Sequence, residues 1–326
     1  MRRMAFAIAV LMVSASNSWT AEAATNVRLS TNRSTQAVVN EVASQKGFFK
    51  EQGLNVKVFA EGSGNASLQA VIGGSADLGV GLHVRVLQVL AKRISLCVIG
   101  MVQYGLTSKI VVPIRDKTSK TMADLKGKRL AVQMGSGTYT AWRILLKYQG
   151  LKESDFILKN LKTRLIPATF EGGSIDVAVA WEPYASIMVS KGLARVLMTN
   201  DEWSKLGKIV YPVFLYAKCD WVKKNRDTTQ RFVNAWIKAI RFVNDNHKET
   251  TDILAKAYKG WGLKIPRAKI KAGIYTRGYD KLTVDEDVLT DTQNFAQIMY
   301  DIKKIKFIPD FKKALMLEFT NKALGK

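Results

Sequence analysis

From Val27 to about Val213, short apolar runs alternate with stretches in which apolar residues return every three or four positions. That alternation predicts strands and helices in turn, and hence parallel α/β layers. Val27–Ser30, Leu54–Ala60 and Asp77–Gly81 are expected strands, with helices over Gln36–Gln52, closed by Gly53, and over Ser67–Ile72. The order then recurs. Strands are expected at Arg129–Gln133, Phe156–Leu161 and Asp176–Ala180, and a helix over Tyr139–Gln149, closed by Gly150. From Asp220 to Lys326 the period is helical, as in Gln230–Asn244, where Phe232, Ala235, Trp236, Ala239, Ile240 and Val243 share one face.

Two words are repeated at nearly one spacing. Gly73-Gly74-Ser75-Ala76-Asp77 is echoed by Gly172-Gly173-Ser174-Ile175-Asp176, 99 residues on, and Gln52-Gly53-Leu54 by Gln149-Gly150-Leu151, 97 residues on. A duplicated α/β unit leaves such a trace. The start of the chain reads differently. Arg2 and Arg3 precede the apolar run Met4–Val13, and Ala21-Glu22-Ala23 offers a small-x-small cleavage site. Residues 1–23 are therefore expected to be an export signal cleaved near Ala23, leaving the mature protein in the periplasm. The apolar run is shorter than the roughly 20 residues a membrane span needs.

The 326 residues, 47% hydrophobic, suffice for two domains. The net charge of +23 could point to nucleic acid. Its lysines and arginines are spread along the whole chain, however, and no nucleic-acid-binding motif accompanies them. The charge reads as a solvated basic surface that would also speed the arrival of anions, and nucleic acid is not an expected partner. Cys97, in the apolar run Ile94–Met101, reads as a core thiol, and Cys219, opening a helix, as exposed or half-exposed. A bridge between them is open to an exported chain but is not the expectation. With these two cysteines and only His83 and His247, no metal site and no cofactor are expected.

In open α/β sheets, ligands sit beyond the carboxyl ends of strands, where loops feed helix N-termini. In Gln133-Met134-Gly135-Ser136-Gly137-Thr138-Tyr139, backbone N–H groups and the Ser136 and Thr138 hydroxyls converge on one spot that suits an anion; the other reading is an ordinary helix cap. It lacks the Gly-Lys-Ser/Thr ending of a nucleotide-phosphate loop. Ser63-Gly64-Asn65 stands in the same position after its strand. Asn32-Arg33 follows the first strand, and Arg33 could fork onto a carboxylate or sulfonate or simply face solvent. His83, at the end of the third strand, is a candidate contact, while Arg85 reads as structural. Gln103 and Tyr104 could give an amide and a ring to the pocket. Trp181 and Tyr184 could wall it, with Glu182 either pairing with a ligand amine or locking its own turn.

These residues carry a resemblance. Ala43–Leu54, Ala70–Gly79, Leu125–Arg129 running into Gln133–Thr138, and Asp176–Tyr184 resemble the nitrate/sulfonate/taurine group of solute-binding proteins, which includes binders of thiamine precursors. The resemblance implies a type II periplasmic-binding fold: two Rossmann-like lobes joined by two crossovers, lobe 1 formed by 24–110 plus the helical segment 214–326, and lobe 2 by 111–213. It implies capture of a small organic anion or nitrate between the lobes, without catalysis, and delivery by a monomer to the transmembrane subunits of an ABC permease. It carries Ser63, Gln133, Ser136 and Trp181 into the pocket. Members often have a proline where this chain reads His83-Val84-Arg85. The alternative the resemblance leaves is a binder or synthase of a thiamine pyrimidine precursor, for which only His83 is placed.

Overall fold

Val27 and Leu29 are buried on either side of the exposed Arg28, the alternation of a strand with one face on a core. In the computed structural model, which describes residues 24–208 and 210–326, that strand is β1 (Thr25–Asn32). The expected export signal lies outside the described residues. A short 3-10 turn leads into α1 (Val38–Gln45) and α2 (Phe48–Glu51). Gly47, at φ 77°, breaks what the periodicity predicts as one helix, because left-handed backbone ends an α-helix. Then follow β2 (Leu54–Glu61), α3 (Gly64–Ile72), β3 (Leu78–Leu82), α4 (His83–Leu90) and β4 (Leu96–Gln103). The strand order of this first sheet is β2-β1-β3-β10-β4, where β10 is Val213–Lys218.

The second sheet is built from β5 (Ser108–Pro113), β6 (Arg129–Val132), β7 (Ile157–Asn160), β8 (Val177–Trp181) and β9 (Ala194–Met198), in the order β7-β6-β8-β5-β9. Its helices are α5 (Gly137–Tyr148), α6 (Ile166–Glu171), α7 (Tyr184–Ser190) and α8 (Asn200–Leu206). Each sheet has three parallel strands, then an antiparallel strand borrowed through a crossover, then an edge strand. The duplication is visible in atomic detail. Arg28 binds Asp77 through its backbone N–H and guanidinium at 2.8 and 2.6 Å, and Arg129 binds Asp176 in the same way at 3.0 and 2.7 Å. Both aspartates close the repeated Gly-Gly-Ser words.

The chain crosses from the first sheet to the second between Gln103 and Ser108 and returns between Met198 and Val213. The first crossing falls a few residues before the boundary expected at 110, because β5 lies wholly in the second sheet. After β10 come α9 (Cys219–Lys224), α10 (Arg226–Asp245), α11 (His247–Gly260), α12 (Arg267–Tyr275), α13 (Glu286–Asp301) and α14 (Glu318–Ala323). The apolar face of α10 is buried against α1, α2 and α14, which sets this helix beside the first sheet. The end of α13 reaches α5, where Arg143 donates to the Ile302 carbonyl at 2.9 Å.

The cysteines correct the sequence reading. Cys97 and Cys219 are both buried and form a disulfide, with Cα atoms 5.0 Å apart. The reason is topological: β10 runs back along β4, sets Ala217 opposite Cys97, and so delivers Cys219 to its partner across 122 residues.

Candidate functional site

The carboxyl ends of the parallel strands in the two sheets face one another, and the loops leaving them touch. Ser63 caps α3 by accepting from the Ala66 N–H, and Ser136 caps α5 by accepting from the Tyr139 N–H. The Asn65 side-chain amide donates to the Gly135 carbonyl across the gap at 2.7 Å. Nearby, Ser108 and Thr138 share a hydroxyl–hydroxyl bond of 2.7 Å. Both predicted Gly-Ser loops therefore cap helices in the ordinary way, and they also meet.

At their meeting point lies Arg85, whose place in the sequence reads as structural. It sits in the first turn of α4, is 5% exposed, and has neither Nε nor Nη1 hydrogen-bonded among the described residues. Its guanidinium fills the space a side chain on Gly64 would occupy, and Nη2 lies 3.7 Å from where a Gly137 Cβ would be. Gly64 and Gly137 are the first residues of α3 and α5. Two helix N-termini, each carrying partial positive charge, thus converge on a buried cation. Desolvation lowers the Arg85 pKa to about 10, so the group stays charged at neutral pH. Such an arrangement is electrostatically incomplete without negative charge. The sequence signal was present: Arg85 is the one charged residue in a helix whose Val84, Val86, Leu87 and Val89 are all core.

A second buried guanidinium lies against the first crossover. Arg277, 5% exposed, donates from Nη2 to Thr107 Oγ1 at 3.1 Å, while its Nε and Nη1 are unpartnered. Both side-chain amide atoms of Gln103 and the hydroxyls of Thr31 and Tyr258 are likewise buried without partners, as is Asn32 Oδ1. Burial lowers the Arg277 pKa to about 10.

The other candidates fall into place around these groups. Arg33 is exposed at the rim and donates to the Ala60 carbonyl at 3.0 Å. Trp181 and Tyr184 are buried edge to face, with ring centroids 6.2 Å apart. Glu182 takes the locking role, accepting from Lys109 Nζ at 2.6 Å and from the Ser186 N–H at 3.1 Å. Gln133 accepts from the Thr163 N–H at 2.9 Å, so its side-chain oxygen ties the loop after β6 to the turn after β7. Tyr104 lies at the first crossover, its ring on Gly278 and its hydroxyl donating to Asp280.

His83 is a second correction. It opens α4, and its ring packs on Tyr211 and Phe295 and donates from Nδ1 to the Pro212 carbonyl at 3.2 Å. Two residues along a helix are about 200° apart, so the turn that brings Arg85 to the loops turns His83 into the core behind them. A hollow of about 780 Å³ lined by Arg143, Lys147 and Lys303 lies at the opposite end of α5 and carries none of these groups.

A family profile described as NMT1/THI5 like matches residues 35–250. The "Putative binding protein YtlA" of Bacillus subtilis (strain 168) is 28% identical over 218 residues, 65% of this chain and 64% of that protein. The taurine-binding periplasmic protein of Escherichia coli (strain K12) is 27% identical over 192 residues, 59% of this chain and 58% of its own length. The chain thus spans about three fifths of these two curated relatives. Among solved structures, the alkanesulfonate-binding protein SsuA from Xanthomonas axonopodis pv. citri bound to MOPS superposes with a TM-score of 0.77 at 21% identity, covering 90% of this chain and 98% of that one. The desulfurization enzyme DSZB shares the fold at a TM-score of 0.69 and 17% identity, covering 92% of this chain and 99% of its own. The fold is that of a periplasmic solute-binding protein.

Proposed function

Because the chain belongs to the NMT1/THI5-like family, we propose that it is the solute-binding component of an ABC importer. It captures a small organic anion, such as an alkanesulfonate, taurine or a carboxylic acid, or else nitrate, between its lobes. The single observation that carries this reading is Arg85, a buried cation with two unpartnered nitrogens where the N-termini of α3 and α5 meet. An anion there would accept from the guanidinium and from the first N–H groups of α3 and α5, with charge-assisted hydrogen bonds that neutral solutes cannot match. The Trp181–Tyr184 pair, Asn32, Asn65 and Gln103 would shape the rest of the pocket.

The lobes, 24–107 with the helical segment after β10 on one side and 108–212 on the other, would close about the two crossovers onto the solute. The closed monomer would then be read by the permease subunits in the periplasm. Catalysis is not part of this reading, and neither is nucleic acid. The only histidine near the strand ends is His83, and its ring is occupied by Tyr211, Phe295 and Pro212. That argues against a histidine-dependent synthase of a thiamine pyrimidine.

A thermal-shift screen of sulfonates, taurine, nitrate and carboxylates tests the proposal. An anion at 100 times its dissociation constant stabilises by about 2.7 kcal/mol. Shifts with cationic or neutral solutes and none with anions would overturn it.

A further inference from the structure

We propose that the solute carries two anionic groups, one held by Arg85 and the other by Arg277, and is therefore a dicarboxylate or a sulfocarboxylate. The inference rests on the receptor reading above and deepens it. Arg277 is as buried as Arg85, and each presents two nitrogens that no described residue satisfies. Glu182, the buried carboxylate on this side of the molecule, is already engaged by Lys109 and the Ser186 N–H. Tyr258 and Tyr279 lie near Arg277, but burial raises both hydroxyls far above neutrality, so they bring no negative charge. Two full positive charges are thus buried without a counter-charge from the described residues, and a single anionic head would balance only one of them.

The two arginines also stand in a usable relation. Arg85 Nη2 approaches Gly137 in the first turn of α5. Thr138, the next residue, bonds to Ser108. Thr107, just before Ser108, accepts from Arg277. A run of neighbouring residues thus links the two guanidinium groups, from Gly137 and Thr138 to Ser108 and Thr107, with the unpartnered Gln103 amide at the end of β4 just before them. Each guanidinium still has two free donors to offer one carboxylate or sulfonate.

The test is isothermal titration of the full mature chain with matched pairs: propane-1-sulfonate against 3-sulfopropionate, and butyrate against glutarate. The two-headed member of at least one pair is expected to bind roughly tenfold tighter or more, a preference equivalent to about 1.4 kcal/mol. Arg277→Gln should bring the ratio within each pair close to one. Arg277→Lys, which keeps the charge without the fork, should leave an intermediate ratio and serves if the glutamine variant does not fold. Equal binding of one- and two-headed anions by the native chain overturns the two-headed proposal while leaving the receptor reading intact. An unchanged ratio in a folded Arg277→Gln variant does the same. If no anion binds and a neutral or cationic solute does, both readings fall.

Discussion

A side chain on Gly64 would overlap the guanidinium of Arg85, because a Cβ built there meets Nη1, Cζ and Nη2 together. The backbone at Gly64 is an ordinary helix start, so glycine is required there by space and not by conformation. Gly64→Ala should therefore displace Arg85 rather than unfold α3. Titration is expected to show the affinity for the anionic solute lowered about tenfold or more, with a melting temperature close to native. Retained affinity would mean that Arg85 does not hold the anion.

Arg85→Gln removes the cation itself. Loss of a charged hydrogen-bond donor costs roughly 1.5–3 kcal/mol of binding, so affinity should fall about tenfold to a hundredfold. The ligand-free protein should be at least as stable as native, since an unpaired buried charge is removed. Thermal melts with and without ligand check both halves. A large loss of stability without ligand would reassign Arg85 to the core.

The Cys97–Cys219 disulfide joins the amino end of β4 to the segment just after β10, at the opposite end of these strands from Gln103 and Leu82. It closes a loop of 122 residues, and bridges of this kind contribute about 2–4 kcal/mol. Reduction, or Cys97→Ala with Cys219→Ala, should lower the denaturation midpoint accordingly and leave solute affinity unchanged. Affinity lost in a folded, reduced protein would contradict the placement.

His83 predicts a pH dependence. Burial holds its imidazole at about 3, against an ordinary value of 6.5, with the Pro212 carbonyl offsetting part of the effect. As pH falls below 6.5 the unfolded chain takes up a proton that the native protein refuses until about pH 3. The histidine's contribution is thus complete above pH 6.5 and is lost between 6.5 and 3, at up to about 1.4 kcal/mol per pH unit. His83→Gln should flatten denaturation midpoints across that window. A slope equal to native would show that other groups carry it.

The sequence alone determined the class of fold. Alternating apolar periods marked most strands, the repeated Gly-Gly-Ser words marked the duplication, and the Gly-Ser loops marked the helix starts that meet. All of these are local signals, because turns, caps and burial patterns are written in neighbouring residues. Tertiary structure decided what local signals cannot carry. The antiparallel return of β10 joined Cys97 to Cys219, and the phase of α4 sent His83 inward and Arg85 to the loops. The turn after α12 brought Arg277, 170 residues away in sequence, against Thr107 in the first crossover. A charge becomes costly, and so informative, only when the fold removes its water and its partners, and that depends on which distant segments close over it.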